Sequence, residues 1–101
     1  MVDILVTGAA GFVGGALRRR LESTGRAAAG LDLRGAVAFT ADITDPQALT
    51  EAFRAAAPRV VVHAAARVDD RGTEAEFWRV NVEGTRHALA AARAVGVQRF
   101  V

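Results

Sequence analysis

The feature that most constrains this chain is a glycine-spaced segment that directly follows a short apolar run. Residues 2–7 are mostly Val, Ile and Leu, which predicts a strand buried on both faces of a parallel sheet. The next segment carries Gly8, Gly11 and Gly14 before a helical pattern begins. A Cβ at such positions would block a tight turn, the approach of a ligand or the packing of helix on sheet. The segment therefore predicts a strand, a loop and a helix in succession.

Composition excludes several classes of protein. The chain has 101 residues, 51% hydrophobic and 24% charged, which fits one small globular domain, residues 1–101. All basic residues are arginine and the net charge is only +2. Because no aromatic platform or recognition motif accompanies this charge, we expect no nucleic-acid partner. No apolar run is long enough to span a membrane, and without cysteine there is neither a disulfide nor a thiolate metal site. We expect a cytoplasmic protein with no metal.

Helix and strand patterns alternate along the chain. On the first helix Val13, Leu17 and Leu21 share one face, with arginines opposite, and Gly25 ends it. Further strands are expected at 27–31, 36–40 and 59–63 and from residue 98, with a loop at 64–72. This alternation predicts a doubly wound parallel α/β sheet, the Rossmann fold, with four strands and the start of a fifth.

Two helix starts are marked by capping residues. Asp45 precedes Pro46, which predicts a second helix whose inner stripe is Leu49, Ala52, Phe53 and Ala56. Thr73 and Glu76 form a capping box that is expected to open the longest helix, which ends at Gly96.

The glycine loop predicts an anion-binding site, because the N-terminus of the following helix presents unpaired N–H groups. The pyrophosphate of a nicotinamide dinucleotide fits such a turn, although a plain turn with small-residue packing is the alternative. Asp32, at the end of the second strand, can accept both ribose hydroxyls and repel a 2′-phosphate, which favours NAD over NADP. A solvated strand-end acid is the alternative for Asp32, and Arg34 could pair with a phosphate instead. The candidate loop contacts are Gly8, Ala10, Gly11, Phe12, Val13 and Gly14.

Four motifs follow one another along the chain in the order that a known protein family shows. They are Thr7-Gly8-x-x-Gly11-x-x-Gly14, Ala41-Asp42-Ile43, His63-Ala64-Ala65-Ala66 and Asn81-Val82-Glu83-Gly84-Thr85. Together they resemble the extended, epimerase/dehydratase branch of the short-chain dehydrogenase/reductase superfamily over the whole chain. Residues 65–69 and 77–85 are similar to its 3β-hydroxysteroid dehydrogenase/isomerase-like subgroup.

The resemblance implies roles for several residues. Asp42 would hydrogen-bond the adenine amino group and Ile43 would flank the ring, the alternatives being a turn aspartate and a core isoleucine. The small side chains of Ala64, Ala65 and Ala66 would let the dinucleotide lie against the backbone.

Asn81 lies on a helical stripe of apolar and small residues, so its amide should be buried and hydrogen-bonded. It would lie beside the cofactor or act as a structural clamp between helix and strand. Gly84 would bring the helix close to the sheet, and His63 is expected to be a packed strand-end histidine without chemistry. The stripe comprises Phe77, Asn81, Gly84, Ala88, Ala92 and Val95.

Family members transfer hydride with a Tyr-x-x-x-Lys pair and a Ser or Thr after the fifth strand. This chain has no Tyr and no Lys, and its one serine, Ser23, ends the first helix, so we expect no catalytic residue within it. It stops inside a predicted strand at Phe100 and Val101, which suggests that it is the N-terminal part of a longer parent protein. We expect a small-molecule substrate to bind only to that full-length parent. The parent is expected to form a homodimer as one possible assembly.

The function expected is that of the NAD-binding part of an NAD-dependent oxidoreductase, epimerase or dehydratase acting on a hydroxyl or carbonyl group. The alternative is a non-catalytic dinucleotide-binding or sensor module. A flavodoxin-like or receiver-type module fits the strand order but not the glycines.

Overall fold

The computed structural model describes residues 2–67 and 72–101. Strands and helices alternate along these residues, as the sequence predicts, except that the third strand follows the second with no helix between them. The second half of the chain carries one long helical segment in three parts. The elements are β1 Ile4–Thr7, α1 Phe12–Ser23, β2 Ala28–Asp32, β3 Phe39–Thr40, α2 Pro46–Ala56, β4 Val60–His63, α3 Glu74–Trp78, a π-helical turn Arg79–Glu83, α4 Gly84–Ala94 and β5 Arg99–Phe100.

The strands of the described residues form one parallel sheet in the order β3-β2-β1-β4-β5. β1 lies at the centre, where Thr7 pairs with Leu31 on one side and with His63 on the other. The chain runs outward from β1 to β3 and then returns to β4 on the opposite side of β1. In such sheets ligands bind outside the carboxyl ends of the strands where the order reverses, which here means the ends of β1 and β4.

The core lies between the sheet and the pair α2 and α4, which pack against each other. Leu49 and Phe53 of α2 are fully buried there, as is Ala88 of α4. Apolar side chains at the 3.6-residue period supply the buried face of each helix. The predicted inner stripe of α2 is confirmed, with Ala52 only partly buried.

The helix termini carry the caps that the sequence predicts. The Asp45 carboxylate accepts a hydrogen bond from the N–H of Ala48, with Pro46 as the first helical residue. The Thr73 hydroxyl oxygen accepts from the N–H of Glu76. Gly25, at a φ of +82°, follows the end of α1. Local chemistry alone therefore predicts where these helices start and stop.

The predicted buried stripe of α1 is wrong at Val13. That side chain is 67% exposed, and the residues of α1 that are buried are Gly14 and Gly15. The cause is the close approach of the helix to the end of β1, which leaves no space for side chains on the inner face of the first turn. Val13 therefore points away from the sheet, while Leu17 and Leu21 stay partly buried.

The predicted longest helix is not one continuous α-helix. The π-helical turn Arg79–Glu83 interrupts it and shifts the register by one residue. The stripe from Phe77 to Val95 is nevertheless buried or half-buried throughout, and α4 stays packed against α2 in the core. The first strand and the third are shorter than predicted, and residues 68–71 of the predicted loop lie outside the described residues.

We predict that Leu49→Ala lowers the free energy of unfolding by about 2–5 kcal/mol, because it leaves a cavity in a close-packed core. Leu89→Ala is the matched control, since Leu89 lies on α4 and is 49% exposed. It should cost less than about 1 kcal/mol. Urea denaturation followed by circular dichroism measures both, and equal losses for the two variants would contradict the assignment of the core.

Candidate functional site

A cleft of about 580 Å³ opens at the carboxyl ends of β1, β2 and β4. It lies at the point where the strand order reverses, as the fold predicts. Every site residue expected from the sequence lines this cleft except Ala10 and Asn81. The lining residues are Gly8, Gly11, Phe12, Val13, Gly14, Leu31, Asp32, Leu33, Arg34, Ala41, Asp42, Ile43, Ala64, Ala65, Ala66, Arg67 and Val80.

The glycine turn is held by its own backbone. Gly8 has a φ of +70°, which L side chains rarely adopt, and its carbonyl accepts a hydrogen bond from the N–H of Gly11 at 3.0 Å. A Cβ on Gly14 would lie 2.7 Å from the carbonyl carbon of Gly8. A Cβ on Gly11 would meet only the Gly8 oxygen, at 3.2 Å. Gly8 and Gly14 are thus required by the fold, while Gly11 faces open cleft.

The first turn of α1 presents donors to this cleft. Gly11 is the N-cap and has no side chain to accept from the helix N–H groups, and the first bond within the helix runs from Gly15 N–H to Gly11 C=O. The preceding N–H groups, of Phe12, Val13 and Gly14, therefore have no intrahelical acceptor. With no acidic residue in the first turn, the helix dipole and these donors favour an anion. The cradle fits a pyrophosphate.

Asp32 closes one side of the turn. Its Oδ2 accepts from the N–H of Ala10 at 2.9 Å, and its Oδ1 accepts from the N–H of Leu33. Ala10 therefore contributes through this bond and not as a lining side chain. The carboxylate is exposed at the rim, with lone pairs left for further donors. The expected placement at the end of β2 is confirmed, and Arg34 lines the same rim.

Asp42 and Ile43 form the other wall. The Asp42 Oδ1 accepts from both the N–H and the hydroxyl of Thr44, at 2.9 and 2.7 Å, and these bonds hold the pKa of its carboxyl below the ordinary value. Asp42 is thus a turn aspartate that also faces the cleft. The Ile43 carbonyl is 2.8 Å from His87 Nδ1.

Gly84 makes room for Ile43. A Cβ on Gly84 would lie 2.6 Å from Ile43 Cδ1. The prediction that Gly84 lets the helix approach the sheet is therefore wrong. The close contact of Gly84 is with Ile43, which lies in the loop after β3.

The turn after β4 lies directly against the glycine turn. A Cβ on Gly8 would be 2.7 Å from the backbone of Ala65. The N–H of Ala64 donates to the Thr7 carbonyl at 3.3 Å, and the N–H of Ala65 donates to the Thr7 hydroxyl at 3.2 Å. The small residues at 64–66 therefore serve the fold as well as the cleft, since β1 and this turn share one contact surface.

Asn81 clamps this same turn from the helix side. Its Oδ1 accepts from the N–H of Arg67 at 2.7 Å, and its Nδ2 donates to the Arg67 carbonyl at 3.0 Å. The side chain is half-buried and satisfied, as expected, but it lies outside the cleft lining. These bonds clamp the turn after β4 to the helical segment, and a place for Asn81 beside the cofactor stays a prediction.

Some lining residues carry no signal in the sequence. Leu31, Leu33, Ala41 and Val80 are ordinary apolar residues, and only their place at strand ends or on the π turn brings them to the cleft. Arg67 follows the predicted turn, so a search of the residues flanking each motif could have found it. Val68 and Asp69, which belong to the subgroup motif, lie outside the described residues.

Residues 2–67 and 72–101 contain no group of His, Cys, Asp and Glu side chains that could hold a metal ion. Their helices are too short or too polar to cross a bilayer.

A parallel sheet with a glycine turn at its switch point defines a Rossmann-type dinucleotide-binding fold. The chain belongs to the NAD dependent epimerase/dehydratase family, whose sequence profile it matches over residues 4–101. Among curated relatives, it is 35% identical to a 2-alkyl-3-oxoalkanoate reductase of Stenotrophomonas maltophilia over 99% of this chain. It is 38% identical to a probable dTDP-glucose 4,6-dehydratase of Sinorhizobium fredii over 89% of this chain. It spans 32% and 31% of those two proteins, so it covers about a third of their length.

Solved structures show the same relationship. A short-chain dehydrogenase/reductase superfamily protein from Agrobacterium tumefaciens with bound NAD is 39% identical and superposes with a TM-score of 0.82, over 97% of this chain and 31% of that one. The Thermus thermophilus UDP-glucose 4-epimerase in complex with NAD is 28% identical, with a TM-score of 0.84 over 98% of this chain and 36% of that one. The superfamily expected from the motifs is confirmed.

We predict that Gly14→Ala lowers the free energy of unfolding by about 1–3 kcal/mol, because its Cβ overlaps the Gly8 backbone and the helix must shift. Gly11→Ala, the same change within the same turn, should alter stability by less than about 1 kcal/mol. Thermal and urea melts of both variants test this ranking. The reverse order of stabilities would show that the turn is built differently.

Proposed function

We propose that this chain binds NAD in the cleft and forms the cofactor-binding part of an oxidoreductase, epimerase or dehydratase that acts on a hydroxyl or carbonyl group by hydride transfer. The observation that carries the proposal is the uncapped first turn of α1, whose donors open into the same cleft as Asp32 and the turn at 64–66. Family membership and the NAD-bound neighbours support it.

Each wall of the cleft has a role in this proposal. The N–H groups of the first turn of α1 hold the pyrophosphate, which supplies the negative charge that the helix dipole favours. Asp32 accepts hydrogen bonds from the ribose hydroxyls, and its charge disfavours a 2′-phosphate. Asp42 and Ile43 receive the adenine, and the small residues of the turn at 64–66 let the dinucleotide lie against the backbone.

The proton-transfer step needs groups that this chain does not supply, since it has no Tyr and no Lys. We therefore propose binding without turnover, with the substrate held by the longer parent protein. Within the superfamily, we propose that the chain belongs to the 3β-hydroxysteroid dehydrogenase/isomerase-like subgroup. The motif at 77–85 supports this proposal. A cytoplasmic location and a dimeric parent also stay predictions.

Gly11→Val should weaken NAD binding at least about tenfold, a loss of about 1.4 kcal/mol. The added methyl groups would enter the open side of the turn, where the pyrophosphate is proposed to lie, while the backbone keeps an ordinary conformation. Isothermal calorimetry with NAD measures the effect. Ala16→Val is the control, because Ala16 is exposed on the same helix outside the cleft. If Gly11→Val binds NAD as tightly as the wild type, the pyrophosphate lies elsewhere. If the folded wild type binds neither NAD nor NADP at millimolar concentration, the proposed function is excluded.

Asp32→Ala should lower the ratio of the NADP to the NAD dissociation constant. Removing the carboxylate deletes the acceptor for the ribose hydroxyls and the charge that repels a 2′-phosphate, while Arg34 stays at the rim. The variant also loses the bond from Ala10, which loosens the glycine turn and weakens the binding of both cofactors alike. The ratio of the two dissociation constants cancels this common loss and reports only the change in selection between NAD and NADP. Calorimetric titration of each cofactor gives the ratio, and a ratio equal to that of the wild type would remove Asp32 from cofactor selection.

A further inference from the structure

A chain of side-chain hydrogen bonds runs beneath the cleft and is not used by the proposed cofactor contacts. Thr7 is the buried polar residue of the sheet, with an exposed fraction of 0%. Its hydroxyl lies 2.8 Å from His63 Nδ1, and His63 Nε2 lies 3.1 Å from the hydroxyl of Thr85. The Thr85 hydroxyl donates to the Asn81 carbonyl at 2.7 Å. The imidazole therefore links β1 to the helical segment through β4.

The donors and acceptors of this chain allow only one direction. A hydroxyl has one proton, and Thr85 uses its proton on the Asn81 carbonyl. Thr85 must then accept from His63, so Nε2 carries the hydrogen of the imidazole. Nδ1 of the neutral ring is consequently an acceptor, and the Thr7 hydroxyl donates a hydrogen bond to it. The Thr7 oxygen still accepts from the N–H of Ala65.

Both ends of this chain hold the turn that lines the cleft. At one end Thr7 accepts from the N–H of Ala65. At the other end is Asn81, whose side chain bonds the N–H and the carbonyl of Arg67. The ring thus lies between Thr7 and the helical segment that carries Asn81, which supply the two anchors of the turn.

Protonation of His63 is incompatible with this arrangement. The imidazolium donates from both nitrogens, so Thr7 would receive two N–H donors while its own buried proton lost its acceptor. Burial also lowers the pKa of His63 below the ordinary value. Because the folded state disfavours the charged ring, stability contributed by this site is present above the unfolded pKa of about 6.5 and declines as the pH falls below it.

We propose that His63, held as the neutral Nε2–H tautomer between Thr7 and Thr85, is a positioning residue that keeps the turn at 64–67 in the geometry that binds the dinucleotide. The proposal rests on the proposed function for its effect on NAD. Protonation of the ring forces the Thr7 hydroxyl to reorient and to share its oxygen between two N–H donors, which weakens the anchor at Ala65, and the affinity for NAD falls with it.

Besides these hydrogen bonds, the His63 ring has an aromatic neighbour and several charged side chains on the surrounding elements. Among the described residues no carboxylate forms an ion pair with His63. The centre of its ring lies 5.8 Å from that of Phe100 on β5, with the two rings tilted by 32°. Glu83 pairs with Arg86 on the helical segment. The charged or titratable side chains carried by the surrounding elements are Asp3 before β1, Arg67 after β4, Glu74, Glu76, Arg79, Glu83, Arg86, His87 and Arg93 on the helical segment, and Arg99 on β5.

The first experiment needs no variant. Long-range ¹H–¹⁵N correlation spectra of the wild-type chain should show His63 as the Nε2–H tautomer at pH 7.5, and the amide signal of Ala65 should titrate together with the ring. An Nδ1–H tautomer, or an Ala65 amide that does not follow the ring, would overturn the proposal. This readout does not depend on NAD, so it stays decisive if the proposed function fails.

The second experiment is the pH profile of NAD affinity, measured by calorimetry between pH 8 and pH 5. Wild type should lose about three- to tenfold in affinity, the loss expected for one hydrogen bond. His63→Asn keeps an acceptor near the Nδ1 position but cannot titrate, so it should bind at pH 8 within about threefold of wild type and lack the pH-dependent loss. His63→Leu, which has no acceptor for Thr7, should bind weakly at every pH.

A matched control separates the two histidines of the chain. His87 bonds the Ile43 carbonyl, so His87→Asn replaces the other imidazole of the chain and leaves His63 intact. This variant should keep the pH-dependent loss whatever its affinity at pH 8. A loss that survives in His63→Asn and disappears in His87→Asn would assign the effect to His87 and overturn the proposal. Similar affinities of His63→Leu and His63→Asn at pH 8 would show that the ring only fills space.

Discussion

The contact of the Gly8 backbone with two other segments is the constraint on which the rest of this structure depends. Gly8 leaves β1 in a left-handed conformation, lies under the first turn of α1 at Gly14 and touches the turn after β4 at Ala65. A side chain at Gly8 or Gly14 would separate these segments. Because the three meet without side chains between them, the helix N-terminus and the strand ends open into one cleft.

The close packing of these three segments also sets where hydrogen-bond donors and acceptors lie in the cleft. An uncapped helix start supplies donors in its centre, and carboxylates at its rim belong to turns that follow neighbouring strands. Asp32 is bound to the glycine loop and Asp42 to Thr44, so both are oriented before any ligand arrives. A site with donors in the centre and acceptors at the edge suits a molecule that is anionic in the middle and carries hydroxyl and amino groups at one end.

Beneath the cleft, buried polar groups are arranged so that each donor has an acceptor. Thr7, His63, Thr85 and Asn81 form a bonded series that ends on both sides at the turn lining the cleft. Unsatisfied polar groups are costly inside a protein, so this bonding pattern favours the neutral Nε2–H ring that we propose for His63. The parallel sheet makes this possible, because it brings the ends of β1 and β4 side by side.

Local patterns in the sequence determined the alternation of strands and helices, the caps at Asp45 and Thr73, and the use of the segment from Gly8 to Gly14 as a turn before a helix. These follow from side-chain periodicity and from conformational preferences of single residues. Tertiary structure alone decided that Val13 faces away from the core, that Asn81 clamps Arg67, that Gly84 accommodates Ile43 and that a π turn interrupts the long helix. Each of those outcomes is set by contact between segments distant along the chain, and which atoms meet there depends on how the strands and helices pack.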